Sequence, residues 1–171
     1  MTVRIHSLWL MPAASDEALL AGIVGDLSRR FGTPLFAPHL TLQGDTETTP
    51  DLLEQVTTAV AAAVETFAEP VSLVEGSDAY FRSFYARFAV SPALAKLKQA
   101  LDPEGFASFM PHVSLLYGPV EAEAKAAAIA EINTRLAGRA IRFDRIGIVT
   151  SGQDVPIAKW QVVTSVALRS A

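Results

Sequence analysis

Hydrophobic and polar positions change period repeatedly along the chain, and each change marks an element. Residues 4–11, "RIHSLWLM", are rich in β-formers and stop at Pro12, which predicts a strand. Over 16–31, Leu19, Leu20, Ile23, Val24, Leu27 and Phe31 recur at helical spacing, with Ser15 as the expected cap and Gly32 as the stop. "HLTLQG" at 39–44 alternates and predicts a strand. Thr49 and Pro50 open a predicted helix over 51–67, and Pro70 is expected to break the chain. Two strands follow at 71–76 and 79–90, joined near Gly76-Ser77-Asp78. Ser91 and Pro92 then open a helix over 93–101. A strand in "MPHVSLLYG" (110–118), a helix over 121–137 closed by Gly138, and strands at 140–152 and 159–168 complete the chain.

The order repeats. From 16 to 90 and again from 92 to 169 it runs helix, histidine strand, helix, strand, strand. This predicts an internal duplication and an α+β fold. The expected architecture is bilobal with a pseudo-two-fold axis: two antiparallel sheets line a central cleft, and the helices lie outside. No linker rich in Gly, Ser or Pro separates the halves, so residues 1–171 are expected to form one bilobal domain. Its lobes are expected at about 12–90 and 91–169, with strand 4–11 joining one sheet.

The histidines turn this pattern into chemistry. Two of the three lie in one frame, Pro38-His39-Leu40-Thr41-Leu42 and Pro111-His112-Val113-Ser114-Leu115. In a strand, alternate side chains share a face about 7 Å apart, so His39 accompanies Thr41 and His112 accompanies Ser114. Two such pairs facing each other across a cleft suit an in-line displacement at phosphorus. A neutral imidazole takes the proton of the attacking water, and a protonated one donates to the leaving oxygen. Hydroxyls can donate to the non-bridging oxygens, where charge accumulates. The expected division has His112 as base and His39 as acid. A lone core histidine is a commoner reading of one such motif, but the recurrence of the whole frame argues against it here. His6 has no such frame and is read as structural.

Composition removes several other classes. The chain has no cysteine, which excludes disulfides, thiolate metal sites and a cysteine nucleophile. Two histidines without a nearby Asp or Glu make a poor zinc site, so neither metal nor other cofactor is expected. The net charge of −4 speaks against long nucleic acid as partner. The N-terminal stretch lacks the features of a secretory signal, and no run reaches the ~20 apolar residues of a membrane span. A monomeric cytoplasmic protein with no membrane partner is expected.

The paired frames "PHLTL" and "PHVSL" resemble the two signature motifs of the 2H phosphoesterase superfamily. With "HSLWLMP" and "PHVSLLYG", the chain looks most like the cyclic phosphodiesterase-like branch, and the likeness spans nearly its whole length. It implies hydrolysis of ribose cyclic phosphates, ADP-ribose 1″,2″-cyclic phosphate or nucleoside 2′,3′-cyclic phosphates, to monophosphates. Small cyclic phosphates or nucleotides would then be the partners. His39 and His112 would be the acid/base pair, Thr41 and Ser114 would hold the phosphate, and Trp9 and Tyr117 would lie near the substrate. Strict alternation from Ser114 sends Tyr117 to the wrong face unless the strand bends near Gly118-Pro119. Arg82, in "YFRSFYARF", is a weaker candidate for a phosphate contact. The alternatives are an RNA 2′,3′-cyclic phosphodiesterase like the 2′–5′ RNA ligase branch, and a non-catalytic nucleotide-binding module. Cysteines carried by plant enzymes of this branch have no counterpart here.

Overall fold

A computed structural model describes residues 4–171; residues 1–3, included in the single domain expected above, lie outside the described residues. The strands are β1 (His6–Pro12), β2 (Leu40–Thr46), β3 (Phe67–Gly76), β4 (Phe84–Phe88), β5 (His112–Leu116), β6 (Ala140–Thr150) and β7 (Gln161–Ala167). The helices are α1 (Ala14–Phe31), α2 (Pro50–Ala61), α3 (Pro92–Leu101) and α4 (Ala122–Leu136). No helix among the described residues is long and apolar enough to cross a membrane.

The α+β class and the antiparallel pairing are as expected, but the two separate sheets are not. All seven strands belong to one sheet in the order β1-β2-β5-β4-β3-β6-β7. A further pairing of β1 with β6 closes it into a barrel. The barrel is thinnest between β2 and β5, which pair only at Leu40 and Val113. The two halves of the sequence interleave: β5 lies beside β4, and β6 lies beside β1.

One face of the sheet is apolar and packs beneath the helices. Leu8, Leu10, Leu40, Leu42, Val113 and Leu115 are buried there with Leu20, Ile23, Val24 and Leu27 of α1. α1 lies against β1 and β5, α3 against β2, α4 against β3 and β4, and α2 against β6 and β7. The helices therefore cover one face and leave the other free to line a cleft.

Several boundaries differ from expectation for local reasons. Ala13, not Ser15, is the N-cap of α1, and it makes no side-chain cap bond. Asp16 and Glu17 occupy the first turn, where carboxylates favour the helix dipole. α2 ends at Ala61, and β3 already begins at Phe67, so Pro70 lies inside a strand rather than breaking the chain. It sits where β3 changes partner: Pro70 faces Ala140 of β6, and Val71 faces Phe88 of β4. A missing N–H is tolerated at such a junction. Residues 80–82, expected within a strand, form a 3₁₀ turn. Gly32 and Gly138 end their helices with φ of 66° and 76°, a left-handed conformation that suits glycine.

The two Ser/Thr caps differ in a measurable way. Ser91 accepts from the Leu94 N–H, whereas the Thr49 side chain makes no cap bond. Ser91→Ala is expected to lower unfolding free energy by about 1 kcal/mol, and Thr49→Ala by much less. Urea unfolding of both variants checks this, and equal losses would contradict it.

Candidate active site at the junction of the histidine strands

The pairing of Leu40 with Val113 is antiparallel. Directly opposed residues in such a pair point to the same face. Carried one residue each way, this register sets His39 opposite Ser114 and Thr41 opposite His112. Leu40 and Val113 are fully buried in the core. The four polar side chains fall on the other face, with the histidines on a diagonal whose backbones are about 7–8 Å apart in ordinary sheet geometry.

Each proline has a visible function. The Nδ1 of His39 lies 2.7 Å from the Ala37 carbonyl, and that of His112 lies 2.9 Å from the Met110 carbonyl. A carbonyl only accepts, so Nδ1 carries the proton in both rings and Nε2 is left for other chemistry. The intervening proline fixes its own φ and keeps the residue before it extended. The same bond to residue i−2 recurs in both frames, so the motif encodes a tautomer as well as a side chain.

The surroundings of the two rings differ. Trp9 stacks face to face on His39, with centroids 3.5 Å apart and planes 5° apart. His39 is 7% exposed. Burial, aided by the nearby His112 and opposed by the Ala37 carbonyl, holds its pKa down at about 4. His112 is less enclosed and has Tyr85 edge-on at 5.4 Å. Its pKa is also lowered, mainly by burial; the Arg82 guanidinium adds to this, and the Met110 carbonyl opposes it.

Tyr117 reaches the cleft through a bulge. Phe84 faces Leu116, but Tyr85 faces Ser114, so β5 carries one extra residue. Leu115 and Leu116 both enter the core, and the alternation is reset so that Tyr117 shares the face of Ser114. Burial pushes the Tyr117 hydroxyl pKa up, with a hydrogen bond to Ser114 acting the other way. The Ser114 hydroxyl donates to the Phe81 carbonyl at 2.8 Å.

Together these side chains line one open cleft of about 510 Å³ that contains all six expected residues: Trp9, His39, Thr41, His112, Ser114 and Tyr117. His6 lies outside this cleft, buried at the other face of β1. The cleft also takes in Arg82, Phe81, Trp160 and Gln153. Trp160 and Gln153 were not foreseen. Trp160 stands between Trp9 and Tyr117 at 5.9 Å from each and stacks on Phe81 at 5.7 Å. The repeated order of elements held the clue, because the β3–β4 and β6–β7 connections both contain a 3₁₀ turn and both reach the cleft. Among the described residues, no three His, Asp or Glu side chains gather as metal ligands would.

The buried His39 ties stability to pH. Its ordinary value is 6.5 and its folded value is about 4, so the unfolded chain takes up this proton first. Its stabilising contribution is therefore complete above about pH 6.5 and is lost as pH falls toward 4, by roughly 3 kcal/mol. His39→Asn is expected to flatten that part of the stability curve. Unfolding free energies of wild type and variant that fall in parallel from pH 6.5 to 4.5 would contradict it.

The chain is similar to known proteins over most of its length. The family described as cyclic phosphodiesterase-like protein matches residues 4–106. The cyclic phosphodiesterase of Arabidopsis thaliana is 22% identical over 167 residues, covering 93% of this chain and 92% of that protein. Among solved structures, TT0787 of Thermus thermophilus superposes with a TM-score of 0.64 at 16% identity, covering 97% of this chain and 98% of that one. Escherichia coli LigT complexed with 3′-AMP superposes with a TM-score of 0.61 at 12% identity, covering 98% and 99% respectively. These structures share the fold. The match over most of the chain and the doubled histidine frame make it a member of the cyclic phosphodiesterase-like family, within the 2H phosphoesterase superfamily.

Proposed function

We propose that this protein hydrolyses a small ribose cyclic phosphate, a nucleoside 2′,3′-cyclic phosphate or ADP-ribose 1″,2″-cyclic phosphate, to the monophosphate by metal-independent His/His catalysis. The observation that carries this reading is the register around Leu40 and Val113, which lets two imidazoles and two hydroxyls converge on one face. That LigT has been crystallised with 3′-AMP supports a nucleotide-sized ligand in this fold.

In the proposed reaction the phosphate lies between the rings. Nε2 of neutral His112 accepts a proton from water as the water oxygen bonds to phosphorus. One ribose P–O bond breaks on the opposite side, and Nε2–H of protonated His39 gives its proton to the departing oxygen. The products are a phosphomonoester and a ribose hydroxyl. A bound phosphate's negative charge raises the proton affinity of His39, and the Trp9 face favours the cationic ring. Arg82 opposes a second positive charge on His112. Thr41 directs its hydroxyl to a non-bridging oxygen, and Ser114 does the same once its hydroxyl turns from the Phe81 carbonyl that it meets in the free site. Trp9, Tyr117 and Trp160 supply an apolar wall for the nucleoside.

His39→Ala and His112→Ala are each expected to lower kcat for a nucleoside 2′,3′-cyclic phosphate by about 10²–10⁴-fold. Activity that survives both changes rejects the dyad. A substrate with sulfur in place of the leaving oxygen departs without a proton. It should restore His39→Ala and not His112→Ala, and the reverse pattern would exchange the two roles.

A small substrate is favoured over an RNA end by the acidic net charge. Turnover of a mononucleotide is expected to vary little with salt and to gain nothing from an RNA tail. A steep salt dependence together with a gain from the tail would favour the RNA reading.

A further inference from the structure

The two histidine frames are near copies, with the same proline, the same backbone bond and the same hydroxyl two residues on. What distinguishes them is a neighbour supplied by the rest of the fold. His39 has an indole against its face. His112 has beside it the turn Tyr80–Arg82.

That turn is tightly secured. Ser114 donates to the Phe81 carbonyl at 2.8 Å, and the Gly118 N–H donates to the Tyr80 carbonyl at 3.0 Å. The second histidine frame thus holds the turn at two points. Ser77 holds its other end through the Arg82 carbonyl at 2.5 Å and the Ser83 carbonyl at 3.1 Å. The Arg82 side chain leaves this anchored backbone with its guanidinium carbon 5.9 Å from the Tyr85 ring, which in turn lies against His112.

Arg82 lacks a carboxylate partner, as do Arg135, Arg139 and Arg142 among the described residues, but of these it alone lines the cleft. Arg29, Arg30, Arg87, Arg145 and Arg169 all form ion pairs with carboxylates. Arg82 forms none among the described residues, and it is the one Lys or Arg among the described cleft-lining residues. Glu75, a carboxylate on β3, already bonds Tyr85 and Arg87. Asp45, the carboxylate that lines the cleft, accepts from the Gln153 N–H at 3.4 Å. The connection between β6 and β7 brings uncharged Gln153 and Trp160 to the cleft. A positive charge on a fixed support, unneutralised and next to an acid/base ring, fits an anion.

We propose that Arg82 is a third phosphate-binding side chain of this site, gripping a non-bridging oxygen of the reacting phosphate from the His112 side. This rests on the cyclic phosphodiesterase reading above. A guanidinium presents paired donors to phosphate oxygens and keeps its charge at every working pH. Its place beside His112 adds a second effect, since two positive charges there repel. The groups facing His112 are Arg82 from the turn, Tyr85 and Arg87 from β4 with Glu75 of β3 bonded to both, His39 just before β2, and Thr41 from β2. Arg82 is the one among them whose cation acts on the ring with no carboxylate beside it. The guanidinium therefore keeps His112 neutral, while its attraction for the phosphate grows as charge moves onto the non-bridging oxygens.

The test uses Arg82→Gln and Arg82→Lys with a nucleoside 2′,3′-cyclic phosphate, inhibition by inorganic phosphate, and histidine ring NMR titration. Arg82→Gln is expected to lose about 10²–10³-fold in kcat/KM and to weaken phosphate inhibition, and Arg82→Lys to recover part of both. The His112 ring should titrate at higher pH in Arg82→Gln, with His39 unmoved. Wild-type kcat/KM and phosphate inhibition in Arg82→Gln would overturn the inference. So would an equal loss in both variants with an unmoved His112 titration, which assigns Arg82 to packing. If His39→Ala and His112→Ala also keep full activity, the cyclic phosphodiesterase reading falls with it.

Discussion

A single backbone pairing organises the site. Among the described residues, β2 and β5 pair at Leu40 and Val113 alone, and that pairing places His39, Thr41, His112 and Ser114. Shifting the register by one residue would move one polar pair into the core and turn its leucines toward water. The cost of burying an imidazole and a hydroxyl there, and of exposing Leu40 or Val113, specifies the register strongly. Core packing and site geometry are therefore one constraint. The same alternation that buries Leu40, Leu42, Val113 and Leu115 sends His39, Thr41, His112 and Ser114 to the cleft.

The thin junction between β2 and β5 also explains why a cleft exists there. Elsewhere the strands form longer ladders, as along β1 and β6, where His6–Met11 and Arg145–Thr150 pair in one register. Strands that touch at one pair diverge on either side of it. A closed barrel with one weak seam holds its walls rigid through the other ladders and opens at the seam. The proposed catalytic pairs are thus borne at strands and not on long loops, which suits groups whose spacing would control a rate.

The repeated frame supplies two similar half-sites, and the proposed acid/base division requires them to differ. The difference comes from side chains outside the repeated frame. Trp9 arrives on β1, which precedes the repeat, and Arg82 on a turn within the first half. Trp160, just after the turn at 157–159 in the second half, completes the aromatic wall. A near-symmetric framework with unlike neighbours gives two imidazoles of the same tautomer and different electrostatic surroundings.

The amino-acid sequence by itself determined most of the elements, their repeated order, and the face on which each polar residue of the two frames lies. These follow from periodicity over a few residues, where each side chain's direction is set by its own backbone. The family resemblance added Trp9 and Tyr117. The tertiary structure decided the single closed sheet, the pairing of two strands whose histidines stand 73 positions apart (112 − 39), and the bulge that returns Tyr117 to the cleft. It also decided the stack of Trp9 on His39 and the company Arg82 keeps. Local pattern records which way a residue points, but not what it meets. That depends on which strands close on each other, and closure is settled by the packing of the whole core.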